Sequence, residues 1–312
     1  MALKTALQKK ILALALAGLT AVSLSACGGA GSGNGTIIYA NHQDGDTFTD
    51  SLRAAFKQQA DGAGWQVEYL DGKGDGNLQI DQLAEAIDKK PSAIVLIPVD
   101  GVSIVPTVKQ ANEAGIPIIS VNRYAEEGES FKAYSDDMEA GRIQADFMSS
   151  HLPQNAKVVY LKGTSGQKSA DQRWESFQKN CLDKRKDIEL LAMADAQWST
   201  AEAMKNMSLW LEMFPRIDGV ICGNDNMAIG AIAALRSSGR LQGVFISAVD
   251  ATEAGLKAVA AGELSQTVKQ DAEGQAKATF ELVKASLQGN KPSDIEVPYT
   301  SITRENVAQY LK

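Results

Sequence analysis

Just past the ends of its apolar runs, this 312-residue chain carries a recurring set of forked polar groups and rings: Asp46 and Phe48, Asn122 and Arg123, Arg173, Trp198, Asn224, Asp250 and Gln270. Carboxylates, amides and guanidinium groups are planar and two-pronged, so each can grip a pair of neighbouring hydroxyls with two hydrogen bonds. Phe48 and Trp198 can cover the C–H faces of a ring. The charged members balance, Asp46 and Asp250 against Arg123 and Arg173, whereas an anionic ligand would want a positive excess. Singly, Asn224 or Asp250 would pass for a helix cap. Together, the set points to a small neutral polyol that is bound.

Other chemistries fit less well. The run Gly163 to Ser169 follows a strand and precedes a helix, but it lacks the glycine directly before Lys168 and is one residue short of a phosphate loop. Between Asp71 and Gln82 the acids and Gly76 sit partly on a calcium-loop template, yet Lys73 and Gln82 stand where charged oxygen ligands belong, so a plain strand-to-helix turn is expected. His42 lies near Asp44 and Asp46, but the chain has only 2 histidines and His151 is far off in sequence. His42 is therefore expected to be solvated or at a ligand rim, and no metal site is expected. No Ser, Cys or Lys sits beside a base in a nucleophile pattern. The expectation is a binding protein with no cofactor, not an enzyme.

Holding such residues at one rim requires a repeated strand-then-helix frame. Strand-like runs recur at Thr36 to Ala40, Trp65 to Leu70, Ala93 to Val99 and Ile116 to Val121, and again at Lys157 to Leu161, Ile188 to Ala192, Gly219 to Gly223 and Val244 to Val249, with helical stretches between them. That is the rhythm of parallel βαβ units. The unbroken apolar run Ile94 to Ile97 calls for strands covered on both faces. Between the two sets, the polar stretch Tyr124 to Tyr134 is read as a crossing between domains. Capping boxes at Ser199 with Glu202 and Asp250 with Glu253 start helices directly after strands, at the carboxyl rim where open α/β sheets bind ligands.

The amino terminus gives the compartment. Lys4, Lys9 and Lys10 precede an apolar stretch from Ile11 to about Ala26, too short and wrongly flanked for a transmembrane helix, and Leu24-Ser25-Ala26-Cys27 closes it. This is the pattern of a bacterial lipoprotein signal, with residues 1–26 removed and Cys27 lipidated. The glycine-rich residues up to Gly35 are expected to be a flexible linker. Cleavage takes the net charge from −7 to −10, because the three lysines leave and no acid does. A chain so acidic is a poor nucleic-acid binder. Cys181 and Cys222 are expected on opposite rims of one sheet, as packed free thiols.

Four stretches carry a family resemblance: Pro98-Val99-Asp100, Ala111 to Arg123 (ANEAGIPIISVNR), Cys222 to Ala231 (CGNDNMAIGA) and Thr267 to Leu282 (TVKQDAEGQAKATFEL). With Asp46-Thr47-Phe48, they resemble the ribose/galactose family of periplasmic sugar-binding proteins, the solute receptors of ABC importers, and in particular its galactose/glucose branch. The resemblance implies a type I periplasmic-binding-protein fold, α/β and two-lobed, each lobe a parallel sheet flanked by helices, with three hinge crossings. Residues 36–134 plus 271–291 would form one lobe, and 135–270 plus 292–312 the other. Asp46, Asn122, Arg173, Asn224 and Asp250 would hydrogen-bond the sugar and Phe48 and Trp198 would stack on it. Arg123 matches a basic contact in ribose receptors, and Gln270 an amide near the sugar. Gln167 and Ser169 replace a histidine and an aspartate of the galactose/glucose branch, changing the groups offered to one end of the ligand. The calcium loop of that branch is missing, so no structural calcium is expected. The implied partners are a small neutral sugar and a membrane permease, with the chain a lipid-anchored monomer. The alternative is a sugar-sensing lipoprotein that signals to a membrane kinase or chemoreceptor. A transcription regulator of this fold would need a helix-turn-helix head where this chain has an export signal.

Overall fold

The computed structural model describes residues 35–311. The predicted signal peptide, Cys27 and nearly all of the linker lie outside the described residues.

Two six-stranded sheets organise the chain. The first contains β1 (Thr36–Asn41), β2 (Gln66–Asp71), β3 (Ala93–Leu96), β4 (Ile118–Val121), β5 (Phe131–Tyr134) and β11 (Ile295–Glu296), all parallel, in the order β11-β5-β4-β3-β1-β2. The second contains β6 (Lys157–Lys162), β7 (Glu189–Asp195), β8 (Gly219–Cys222), β9 (Phe245–Asp250), β10 (Gln266–Lys269) and β12 (Thr300–Thr303), in the order β12-β10-β9-β8-β6-β7. The inner strands β3, β4 and β8 are buried at every residue, as their apolar runs require.

Helices α1 (Thr47–Gly62), α2 (Gly76–Asp88) and α3 (Val105–Glu113) cover the first sheet, joined by α9 (Ala272–Leu287), which returns from late in the chain to pack Phe280 against Phe56 with ring centroids 6.0 Å apart. Helices α4 (Asp137–His151), α5 (Lys168–Phe177), α6 (Thr200–Met213), α7 (Asp225–Ser237) and α8 (Glu253–Ala261) cover the second. The turn from β2 into α2 is a plain one capped by Asp75. Cys181 and Cys222 are both buried free thiols.

Several expectations are corrected. Tyr124 to Tyr134 is not a crossing. Its last four residues, Phe131–Tyr134, are β5, and the chain leaves the first sheet only after Tyr134. The last crossing comes later than residue 291, because Ile295–Glu296 still pairs with β5. The second sheet is parallel as expected apart from one added edge strand, β12, which runs antiparallel to β10. Finally, Ser199 caps α6 as expected, but α8 is capped by Thr252, whose hydroxyl accepts from the Gly255 N–H, while Asp250 is the last residue of β9.

Candidate functional site

In both sheets the first strand (β1 or β6) lies between the second and third, so helices leave on opposite faces from either side of one point and the carboxyl rim opens there. The predicted residues stand on these rims. Asn122 and Arg123 directly follow β4, Gln167 opens α5, Trp198 follows β7, Asn224 caps α7, and Gln270 follows β10. Three of them, Asn122, Trp198 and Asp250, have positive φ of 63°, 58° and 122°. Side-chain-bearing residues seldom adopt that conformation, and such strain concentrates where a side chain must be aimed.

Arg173 is the hub. It is 3% exposed, and its guanidinium donates to Asp137 (2.8 Å), the Gly223 carbonyl (2.7 Å), Tyr299 (3.0 Å) and Gln270 (3.3 Å). Its Cζ lies 5.7 Å from the Trp198 ring centroid. Burial works against its charge, but Tyr299 and the carboxylates Asp137 and Asp250 outweigh that and hold its pKa above the ordinary range. Burial raises Asp250 well above the usual carboxylate range although Arg173 pulls it down, and Asp225, Asp46 and Asp137 add repulsion.

Trp198 is seated by its surroundings. Its indole N–H donates to Gln167 Oε1 at 2.7 Å. The ring lies on Gly163, where any Cβ would collide with it. Gln167 therefore aims the ring, and its carbonyl oxygen is engaged. Asp46 and Asn224 also serve their own helices: Asp46 accepts from the Thr49 N–H at 2.9 Å and Asn224 from the Met227 N–H at 3.0 Å. An amide or carboxylate has a second prong, so capping leaves part of each group available.

Arg123 differs from Arg173. Its Nη1 is buried and has no hydrogen-bond partner, and burial lowers its pKa although Asp46 and Asp137 favour the charge. His42 is not solvated: it is 4% exposed, and burial together with Arg123 pushes it down to about 2, so the ring is neutral. Among the described residues no group of three or more His, Cys, Asp or Glu side chains could hold a metal.

Two cavities flank this set. One, of about 160 Å³, is lined by Asn122, Arg123, Gln167 and Ser169, and the other, of about 790 Å³, by Phe48, Asp250 and Gln270. Neither contains the whole set, and groups of the two lobes also touch one another. Thr47 donates to Asn226 Oδ1 at 3.3 Å, and Lys168 lies 3.7 Å from Glu126 and 4.5 Å from the Tyr124 ring centroid. Missed by the sequence reading were Asp137 and Tyr299, both bonded to Arg173. The carboxylate of Asp137 follows β5, a strand the apolar pattern did not reveal, and Tyr299 precedes the edge strand β12.

A family model described as a periplasmic binding protein domain matches residues 37–291. This chain belongs to that family. Periplasmic binding proteins are substrate-binding proteins of transporters, outside the cytoplasm, and not enzymes. The xylitol-binding protein of Mycolicibacterium smegmatis is 30% identical over 304 residues, 96% of this chain and 86% of that protein. The ribose import binding protein of Escherichia coli is 28% identical over 286 residues, 89% of this chain and 96% of that one. A crystal structure of an ABC transporter solute-binding protein from Bacillus halodurans with bound myo-inositol superposes with a TM-score of 0.84 at 30% identity, covering 90% and 98% of the two chains. A solute-binding protein from Actinobacillus succinogenes with bound D-allose, 24% identical with a TM-score of 0.83 over 88% and 99%, shares the fold. Two α/β lobes, each a sheet with flanking helices, are thus the type I architecture of periplasmic binding proteins.

Proposed function

We propose that this chain is a lipid-anchored receptor that closes two lobes on a neutral monosaccharide or polyol and delivers it to an ABC permease. The observation that carries this reading is the buried, partnerless Nη1 of Arg123 beside Asp46 and Asp137. A buried guanidinium nitrogen left unbonded is costly, and a ligand hydroxyl can satisfy it. Arg173, Asn224, Asp250 and Gln270 supply further forked groups, and Phe48 and Trp198 the ring faces. Relatives named for xylitol and ribose, and one solved with myo-inositol, support a polyhydroxylated ligand. With Asp137 added, the two guanidinium groups give the site no positive excess, which disfavours anions.

Contacts from both lobes exist together only when the lobes meet, so the ligand shifts an open–closed equilibrium toward the closed form. A micromolar dissociation constant is about −8.2 kcal/mol, or roughly 0.7 kcal/mol for each of about twelve heavy atoms of a hexose, within the ceiling for small ligands.

A thermal-shift screen of xylitol, myo-inositol, D-ribose and other neutral monosaccharides, confirmed by calorimetry, tests the reading. At least one compound is expected to stabilise the protein and bind with a dissociation constant near micromolar. No response from any of them overturns it. The anchor is tested separately: Cys27→Ala should release the protein from the membrane fraction, and full retention would contradict lipidation at Cys27.

A further inference from the structure

The chain passes between the two sheets at three places: Ser135 to Asp137, Gln270 to Gln275, and Val297 to Tyr299. On the first-lobe side one hydrogen-bonded group ties the three together. Ser135 Oγ donates to the Val297 carbonyl at 2.6 Å, and Gln275 Nε2 donates to Ser135 Oγ at 2.9 Å. On the second-lobe side a separate group does the same. Tyr299 OH donates to Asp137 Oδ1 at 2.9 Å, and Arg173 donates to Asp137, Tyr299 and Gln270. All of these side chains are buried. The residues between the two clamps are more accessible: Asp136, Asp271 to Gly274, and Pro298.

We propose that Tyr299 is a positioning residue coupling the ligand-gripping Arg173 to the hinge, with bending confined to Asp136, Asp271 and Pro298, α9 from Ala272 onward moving with the first lobe. The role given to Arg173 rests on the function proposed above. Each clamp makes one bank of the hinge a rigid unit, because a buried hydrogen bond broken without replacement exposes both partners to the cost of lost solvation. Rotation is then left to the links between banks, as hinges usually concentrate their φ and ψ changes in a few residues. Tyr299 reaches two of the three crossings and Arg173 at once. A ligand that fixes the Arg173 guanidinium therefore also fixes the orientation of the second-lobe bank.

The test is Tyr299→Phe, which keeps the ring and removes the hydroxyl. Spin labels at Asp81→Cys on α2 and Lys205→Cys on α6, both exposed positions on opposite lobes, report the interlobe distance, while Cys181 and Cys222 are buried. In the ligand-free protein Tyr299→Phe is expected to broaden the distance distribution. Toward whichever of xylitol, myo-inositol or D-ribose binds the wild type, it is expected to raise Kd about tenfold, through faster release. A purely structural role would lower the melting temperature and leave the distances alone. Unchanged distances overturn the coupling, whether or not any probe binds, and failure of all three probes on the wild type counts against the functional reading instead. Ser135→Ala, on the opposite bank, should broaden the distribution as well. If Tyr299→Phe does not fold, an unaltered distribution in Ser135→Ala overturns the two-clamp hinge.

Discussion

Asp250 illustrates what a single side chain can be asked to do. Its carboxyl group is buried among other acids, and burial favours its neutral form although Arg173 pulls the other way, so removing it would leave a buried ligand hydroxyl without its partner, a loss of roughly 1–3 kcal/mol. Asp250→Ala should weaken binding at least about tenfold in calorimetry, and equal affinity would remove Asp250 from the site. Gly163→Ala should do comparable harm from a residue with no ligand contact, by pushing Trp198 off its seat. Asp225 makes a separate prediction. It is wholly buried under the start of α8, and loss of hydration pushes its pKa up to about 6 against hydrogen bonds from Thr267 and Thr252. The folded chain thus binds a proton that an unfolded carboxylate, near 4, has already released. Its contribution to stability is present in acid and lost as pH rises through about 6. Moving from pH 7 to pH 5, wild type should gain melting temperature relative to Asp225→Asn. At this scale the sequence located the rim residues, because each follows a recognisable strand. It could not give Asp137 and Tyr299, whose neighbouring strands carry too little apolar character to be seen.

Elements differ in how plainly they announce themselves. Ile94 to Leu96 or Gly219 to Cys222 read as strands because burial on both faces demands uninterrupted apolar residues. β10 is as deeply placed, but two of its buried residues are Gln266 and Thr267, made tolerable by hydrogen bonds to Ser301, Ser247 and Asp225. No hydropathy pattern can find such a strand, since its burial depends on partners distant in sequence. The capping box at Asp250 and Glu253 failed for a related reason: Thr252 offers a hydroxyl closer to the helix start. Helix contacts give their own prediction. A Cβ on Gly230 would strike the Thr200 carbonyl, so α6 and α7 approach as closely as they do only because that position is bare. Gly230→Ala should cost about 1–3 kcal/mol in denaturant unfolding, and a neutral result would mean the helices have slack.

At the scale of the whole molecule, the lobes touch where Lys168 faces Glu126 and Tyr124 and where Thr47 faces Asn226. The Lys168 contacts are exposed and screened by salt. Lys168→Ala should therefore shift the ligand-free lobes toward open in low salt and matter little at 1 M salt, as scattering can measure. A second consequence follows from the return of the chain. The first lobe takes α9 and β11 from near the carboxyl end, and the second takes β12 from later still. During synthesis, then, the first half cannot be finished before Glu296 has emerged, nor the second before Thr303. A chain bound for the far side of a membrane stays unlocked for as long as it must remain threadable, and a premature stop at Lys291 would spoil both halves at once.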